Sequence, residues 1–212
     1  MKILLLLSAA VITIHTHAQT FDCPCTPSTQ IDHQQRTDAK HEANFDNYVA
    51  KEDTITVDYI NKWQAKYKTK TNTIKTNPNN AASQRKHGTP EDTLYILKGY
   101  MWFVKQEGND CDFHIEIGPA SILKNRIVVE VPQENTALQQ KIRDQLGSLG
   151  LKILGCNTSS SSVAHYNSSP LPVVVIGLGF YDASHKPNTN HGDVHTKKYS
   201  WELHPVQDII FE

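Results

Sequence analysis

The feature that most restricts the fold of this chain is the order of its apolar segments between residues 93 and 211. Three runs have the alternating or continuous apolar pattern of β-strands, an amphipathic segment follows, and two more strand-like runs complete the region. The strands are predicted at residues 93–106, 112–117, 126–131, 171–181 and 199–211, and the helix at 134–147. This order predicts a mainly β protein with helices, of the α+β class.

The strand order β-β-β-α-β-β, with glycines where strands must curl, is the one that an oligonucleotide/oligosaccharide-binding (OB) barrel requires. Gly99 interrupts the first strand-like run, and Gly177 and Gly179 lie in the fourth. We therefore predict a five-stranded OB-like barrel over residues 89–212. Element order alone leaves an open α+β sheet with one packed helix as the alternative.

Residues 1–18 have the features of a removable secretory signal peptide. A lysine at position 2 precedes a short apolar stretch, and Ala18 stands before the predicted cleavage point. The stretch is shorter than the roughly 20 residues that span a bilayer, and no later segment is comparable. Cys23 lies too far beyond the cleavage point for a lipoprotein. We expect a soluble protein that is secreted or periplasmic and has no membrane span.

Residues 19–88 are predicted to form an irregular or partly helical N-terminal arm and linker. Within this arm, Ile60, Trp63 and Tyr67 have the spacing of one helical face, which predicts a helix over 57–68. Residues 69–88 are rich in Thr, Asn and Lys and are expected to be an exposed linker.

The charge of the chain argues against general nucleic-acid binding. Its 21 basic and 22 acidic residues give a formal net charge of −1, and removal of Lys2 with the signal peptide lowers it by one more. Proteins that bind nucleic acid through the phosphates usually carry a basic patch or a high pI. The sequence gives no indication of the oligomeric state.

The chain has four cysteines, which can be oxidised in an exported protein. Four cysteines allow three pairings, and connectivity cannot be read from sequence. We favour a disulfide between Cys111 and Cys156, which would tie the barrel to the segment after its helix. Two free thiols in unrelated places are the alternative.

Several motifs of the barrel half resemble those of a family of exported bacterial proteins that has no established activity. The matching stretches are Asp110–His114, Ile127–Pro132, Gly179–Asp182 with His185, and the Trp-Glu-Leu-His-Pro-Val motif at 201–206. The resemblance covers residues 89–211. It implies a shared OB-like fold and carries no activity over to this chain.

Acidic and imidazole side chains recur at three places in the barrel half. They share a face of the second strand, follow the fourth strand, and share a face of the fifth strand. If the fourth and fifth strands pair through the 182–198 loop, the last two groups become neighbours. The three groups are Asp112, His114 and Glu116; Asp182 and His185; and Glu202 and His204.

Mixed imidazole and carboxylate groups suit zinc, manganese or non-haem iron, and they also suit acid–base chemistry. We expect the ligand-binding residues to be Asp112, His114, Glu116, Asp182 and His185. If a divalent metal ion is the cofactor, its expected ligands are His114, Asp182, His185 and His204, with Glu202 as the catalytic base. The alternative is that Asp112, His114 and Glu116 only form the solvated face of their strand, since charged residues are mostly exposed. Asp182 would then cap the turn after its strand, and His204 would hydrogen-bond a backbone carbonyl.

The favoured function is an extracytoplasmic module that binds a small polar or oligomeric ligand with the second-strand face and the 182–198 loop. The second hypothesis is a divalent-metal-dependent hydrolase, such as a phosphodiesterase or nuclease. A purely structural envelope protein is the third. The sequence does not decide whether the protein is an enzyme.

Overall fold

The structure is a computed structural model that describes Cys25 and residues 44–67, 88–108, 110–121, 125–151, 153, 170–182 and 201–212. Elements within these ranges are numbered in chain order. The strands are β1 (Val49–Ala50), β2 (Thr93–Gln106), β3 (Phe113–Gly118), β4 (Ile127–Val131), β5 (Leu171–Tyr181) and β6 (Trp201–Phe211). The α-helices are α1 (Val57–Asn61), α2 (Trp63–Lys66) and α3 (Thr136–Ser148).

Five strands form a closed barrel in the order β2-β3-β4-β6-β5, and pairing of β5 with β2 completes it. Within the barrel β4 and β6 run parallel, and the other neighbouring pairs are antiparallel. This arrangement confirms the predicted OB-like α+β fold. The open sheet is excluded because β2 and β5 are hydrogen-bonded to each other. β1 is an extra strand parallel to β2.

β2 can pair with two other strands of the barrel because it is long and bent. Its first part pairs with β5 and its last part with β3, and the register shifts between Met101 and Phe103. Gly99 lies just before this shift, where a Cβ atom would stand 2.6 Å from Cγ2 of Ile117. The glycine therefore allows β3 to approach β2 closely, near the position where the sequence predicts a bend.

The helix after the third barrel strand is confirmed, with bounds shifted by one or two residues. Its apolar positions, four residues apart, are all buried in the core that lines one face of the barrel strands. Asn135 caps the helix, since its side chain accepts a hydrogen bond from the Leu138 N–H at 3.2 Å. Among the helices described, none has the length and apolar character needed to cross a membrane.

The helix predicted over 57–68 is divided into α1 and α2. Lys62 joins them with helical dihedrals (φ −78°, ψ −16°), so the chain direction changes little at this point. Ile60 and Trp63 are buried in the barrel core as their spacing predicts. The preceding segment follows β2, because the Ile55 N–H donates to the Ile96 carbonyl. Part of the expected arm thus packs directly on the barrel.

The predicted Cys111–Cys156 disulfide is wrong, because Cys111 is bonded to Cys25. A sulfur atom forms one disulfide, and the two Cα atoms here are 5.6 Å apart despite a sequence separation of 86. Cys156 lies outside the described residues. The sequence could not indicate that Cys25 lies against the turn between β2 and β3.

Candidate metal centre

One face of the barrel sheet carries acidic and imidazole side chains that solvent hardly reaches. β3 and β4 are buried on both faces, and so are the first six residues of β6. Burial of a charged group is costly unless an opposite charge and hydrogen bonds compensate it. The polar side chains of this face are Asp112, His114, Glu116, Glu130, Glu202 and His204. They do not form a solvated face.

Strand register brings these side chains together. His114 lies directly opposite Glu130 in the antiparallel β3–β4 pair, and its Nδ1 is 3.2 Å from Oε1 of Glu130. β4 also runs parallel to β6, with register set at Leu203. Glu130 therefore lies beside the residues that flank Leu203 on β6. These residues are Glu202 and His204.

His204 is at the centre of the cluster and is fully buried. Its Nδ1 lies 2.9 Å from Oε2 of Glu130 and 3.3 Å from Oε1 of Glu202. On the opposite side of the ring, Nε2 lies 3.4 Å from Oδ2 of Asp112. The ring of Phe180 on β5 packs against the imidazole at a centroid distance of 5.4 Å. The ring is thus held by carboxylates on both edges.

Asp112 enters the cluster from the turn before β3. Its Oδ1 accepts a hydrogen bond from the Gln133 N–H at 2.9 Å, which orients the carboxylate. Its Oδ2 is buried, and within the described part of the chain it accepts no well-formed hydrogen bond. One oxygen is therefore anchored to the backbone while the other faces His204.

Three of these residues have the geometry of a metal site. Asp112, Glu130 and His204 each offer one ligand atom, and these atoms lie within 4.8 Å of one another. All three residues are buried. Two carboxylate oxygens and one imidazole nitrogen are a ligand set that zinc, manganese and non-haem iron accept.

The carboxylates change the protonation of both histidines. Burial by itself lowers the pKa of His204, but the charge of Glu130 and the polar contacts with the surrounding carboxylates outweigh it and hold the pKa well above its ordinary value. Burial also opposes protonation of His114, whose pKa is nevertheless raised by its hydrogen bond with Glu130 and by nearby carboxylate charge. The cluster therefore attracts positive charge strongly.

Glu116 lies on the same face of β3 but is engaged elsewhere. Its Oε2 is 3.0 Å from Nη1 of Arg126, and both side chains are fully buried. The guanidinium carbon of Arg126 stands 4.6 Å from the ring centroid of Trp102. Glu116 and Arg126 thus form a second polar pair beside the cluster, and the partner of Glu116 is this arginine.

The structure brings three of the predicted site residues into direct contact: Asp112, Glu202 and His204. His114 joins them through Glu130. Asp182 is buried at the end of β5. His185 and the rest of the 182–198 loop lie outside the described residues.

Glu130 is the site residue that the sequence reasoning missed. It lies in the run Ile-Val-Val-Glu-Val, which reads as a plain buried strand. A single carboxylate inside such a run was the available signal, because a buried charge needs a compensating partner.

No family model, curated protein or solved structure matches the chain.

Proposed function

We propose that this chain is an extracytoplasmic binding module whose ligand is one divalent transition-metal ion. The observation that carries the proposal is the convergence of Asp112, Glu130 and His204, with ligand atoms within 4.8 Å of one another. Ligands bonded at roughly 2.0 to 2.2 Å to one ion stand up to about 4 Å apart. An ion bound there would draw the three ligand atoms closer together.

The charges of the cluster favour a bound cation. The carboxylates of Asp112, Glu130 and Glu202 are all buried around one point. They outnumber the two imidazoles, so the five side chains together remain negative even with both histidines protonated. A divalent ion that displaces the proton of His204, with His114 still protonated, would bring the sum to zero.

The donor atoms favour a transition metal over calcium or magnesium. Calcium is bound by six to eight oxygen ligands, and magnesium usually keeps several waters. An imidazole nitrogen between two carboxylates suits zinc, manganese or iron, and zinc is the natural first probe. Glu202 contacts Nδ1 of His204 and would orient the ring as an outer partner of the metal site.

Burial favours a held ion over a catalytic one. A catalytic metal keeps an open position for water or substrate, whereas a structural site is closed. The ligand residues have exposed fractions of 0 to 6 %. A hydrolase acting through this site is therefore the weaker hypothesis, because Glu202, its expected base, is itself fully buried.

The extracytoplasmic location is also part of the proposal. It rests on the signal-peptide pattern of residues 1–18 and on the Cys25–Cys111 disulfide, since disulfides persist mainly in oxidising compartments. The motifs shared with a family of exported bacterial proteins agree with it. We propose membership of that family on the same motifs.

The test is to measure metal binding by the purified chain after export to the bacterial periplasm. The chelator-treated protein is titrated with zinc, manganese and iron(II), and bound metal is counted by elemental analysis. We expect one ion per chain, and at least tenfold weaker binding in Asp112→Asn and His204→Gln, because each variant removes one ligand.

Asp208→Asn is the matched control. It makes the same chemical change at a partly exposed carboxylate that binds Lys141 on the surface. We expect its metal affinity to equal that of the unchanged chain. Circular dichroism checks that each variant is folded. A folded chelator-treated chain that binds none of the three metals contradicts the proposal.

A further inference from the structure

Asp112 directly follows a disulfide-bonded cysteine. Cys111 is 3 % exposed, and its sulfur is joined to that of Cys25, which is partly exposed. The bond links the turn between β2 and β3 to a residue 86 positions earlier. The proposed metal ligand therefore sits next to a covalent constraint on its backbone.

The turn that carries both residues is held at several further points. The Glu107 N–H donates to the Asp112 carbonyl at 2.9 Å. Nε2 of Gln139 on α3 donates to the Cys111 carbonyl at 3.1 Å. Sγ of Cys25 lies 3.3 Å from the Glu107 carbonyl oxygen. The disulfide thus holds Cys25 against the same turn.

The backbone at Cys111 is in the left-handed region, with φ +66°. Residues other than glycine rarely adopt this conformation, because the Cβ atom is crowded there. Loss of the disulfide would free Cys111 to return to a negative φ, with rotation of the peptide unit before Asp112. Such a rotation would displace the carboxylate from His204.

We propose that the Cys25–Cys111 disulfide is a redox-sensitive constraint that sets the metal affinity of the site by positioning Asp112. This inference rests on the metal-binding function proposed above. Reduction of the bond loosens the turn and weakens metal binding while Glu130 and His204 stay on their strands.

The reductant is a dithiol. One of its thiolates attacks Sγ of Cys25, the more exposed sulfur, and the S–S bond breaks with Cys111 leaving as a thiolate that takes up a proton. The second thiol of the dithiol then attacks the mixed disulfide and releases Cys25. Two protein thiols form, and the dithiol becomes a disulfide in this two-electron exchange.

The test compares zinc affinity with and without this disulfide in the full chain. We expect Cys25→Ala/Cys111→Ala to bind zinc at least tenfold more weakly than the unchanged chain. Cys23→Ala/Cys156→Ala, which removes the other two cysteines, is the control and should retain full affinity. Equal affinity in the two double variants overturns the inference, whereas failure of the oxidised unchanged chain to bind zinc, manganese or iron(II) overturns the proposed function itself.

A second measurement separates positioning from general loosening of the fold. In an Asp112→Asn background, removing Cys25 and Cys111 should cause no further loss of zinc affinity, because the constraint acts through Asp112. A further loss as large as in the unchanged chain contradicts the inference.

A third sample covers the case in which the alanine variant does not fold. The Cys23→Ala/Cys156→Ala chain is reduced with a phosphine, its two thiols are blocked with iodoacetamide, and zinc affinity is measured on the folded product. It should show the same tenfold loss, and unchanged affinity would again overturn the inference.

Discussion

The Glu116–Arg126 pair illustrates, at the scale of single residues, how charge is accommodated on the buried face of the barrel. The carboxylate and the guanidinium are 3.0 Å apart with no solvent exposure of either side chain. Trp102 covers the guanidinium, and its Nε1 donates to the Pro119 carbonyl at 3.0 Å. The pair is therefore a unit in which each charge depends on the other.

Arg126→Met should lower the free energy of unfolding by about 3 to 5 kcal/mol, because it leaves the Glu116 charge buried without its main partner. Adding Glu116→Gln to this variant removes that charge and should recover part of the loss. Urea denaturation of both variants measures the difference. A double variant that is no more stable than the single one would contradict this interpretation.

Single residues also differ in how far the sequence could predict their place in the site. Alternation along the strands identified His114 and His204 as members of polar faces, because side-chain direction has a period of two. Glu130 was missed because its neighbours are aliphatic. Cys25 was missed because a disulfide is fixed by distance in space, which the sequence does not contain.

At the scale of elements, the periodicity of apolar residues was sufficient to predict the barrel strands and α3. The predicted bounds of β2 and β5 agree with the structure, and those of the other strands differ by one or two residues. Helix 57–68 was predicted as one piece, but the α-helical pattern breaks at Lys62, whose N–H donates to the Tyr59 carbonyl only three residues back. The spacing of apolar residues predicts which face of a helix is buried, and this face continues through α1 and α2. It does not predict a local break in the helix.

Contacts between elements require glycine at one point of β5. A Cβ atom on Gly179 would clash with the carbonyl group of Pro90, in the 3-10 turn Pro90–Asp92. This turn is fixed because the carboxylate of Glu91 accepts the Tyr181 N–H at 2.9 Å. Gly179→Ala should therefore reduce the free energy of unfolding by about 1 to 3 kcal/mol.

Gly147→Ala is the comparison for this prediction. Nothing lies within 4 Å of a Cβ atom at Gly147, which is in α3, so alanine there should stabilise the protein by about 0.5 to 1 kcal/mol. Thermal denaturation of both variants tests the contrast. Equal effects of the same sign would show that contact with the turn is not the cause.

At the scale of the whole molecule, the fold followed from the order of elements, whereas the site depends on how the barrel closes. The parallel β4–β6 pair places Glu130 beside His204, and no local sequence pattern predicts that contact. Fold class was therefore predictable, and the complete ligand set was not. A map of which strands pair would have been enough to find Glu130.

Metal binding should change the stability of the whole barrel, because the ligand atoms converge only in the folded state. At free zinc one hundred times the dissociation constant, the free energy of unfolding should rise by about 2.7 kcal/mol, equivalent to roughly 5 to 10 °C in Tm. Calorimetry with zinc and with chelator measures the shift. In Asp112→Asn the shift should shrink, and an identical shift would place the bound zinc elsewhere.

The parallel pairing of β4 with β6 also sets the moment at which an ion can be captured. Asp112 and Glu130 are made well before His204, and a chain that is still growing through residues 131–203 has two of its three ligands but lacks the strand that brings them together. Capture must wait until β6 has docked. If the polypeptide crosses a membrane in extended form, it crosses without a bound metal ion and binds one only in the compartment that it enters.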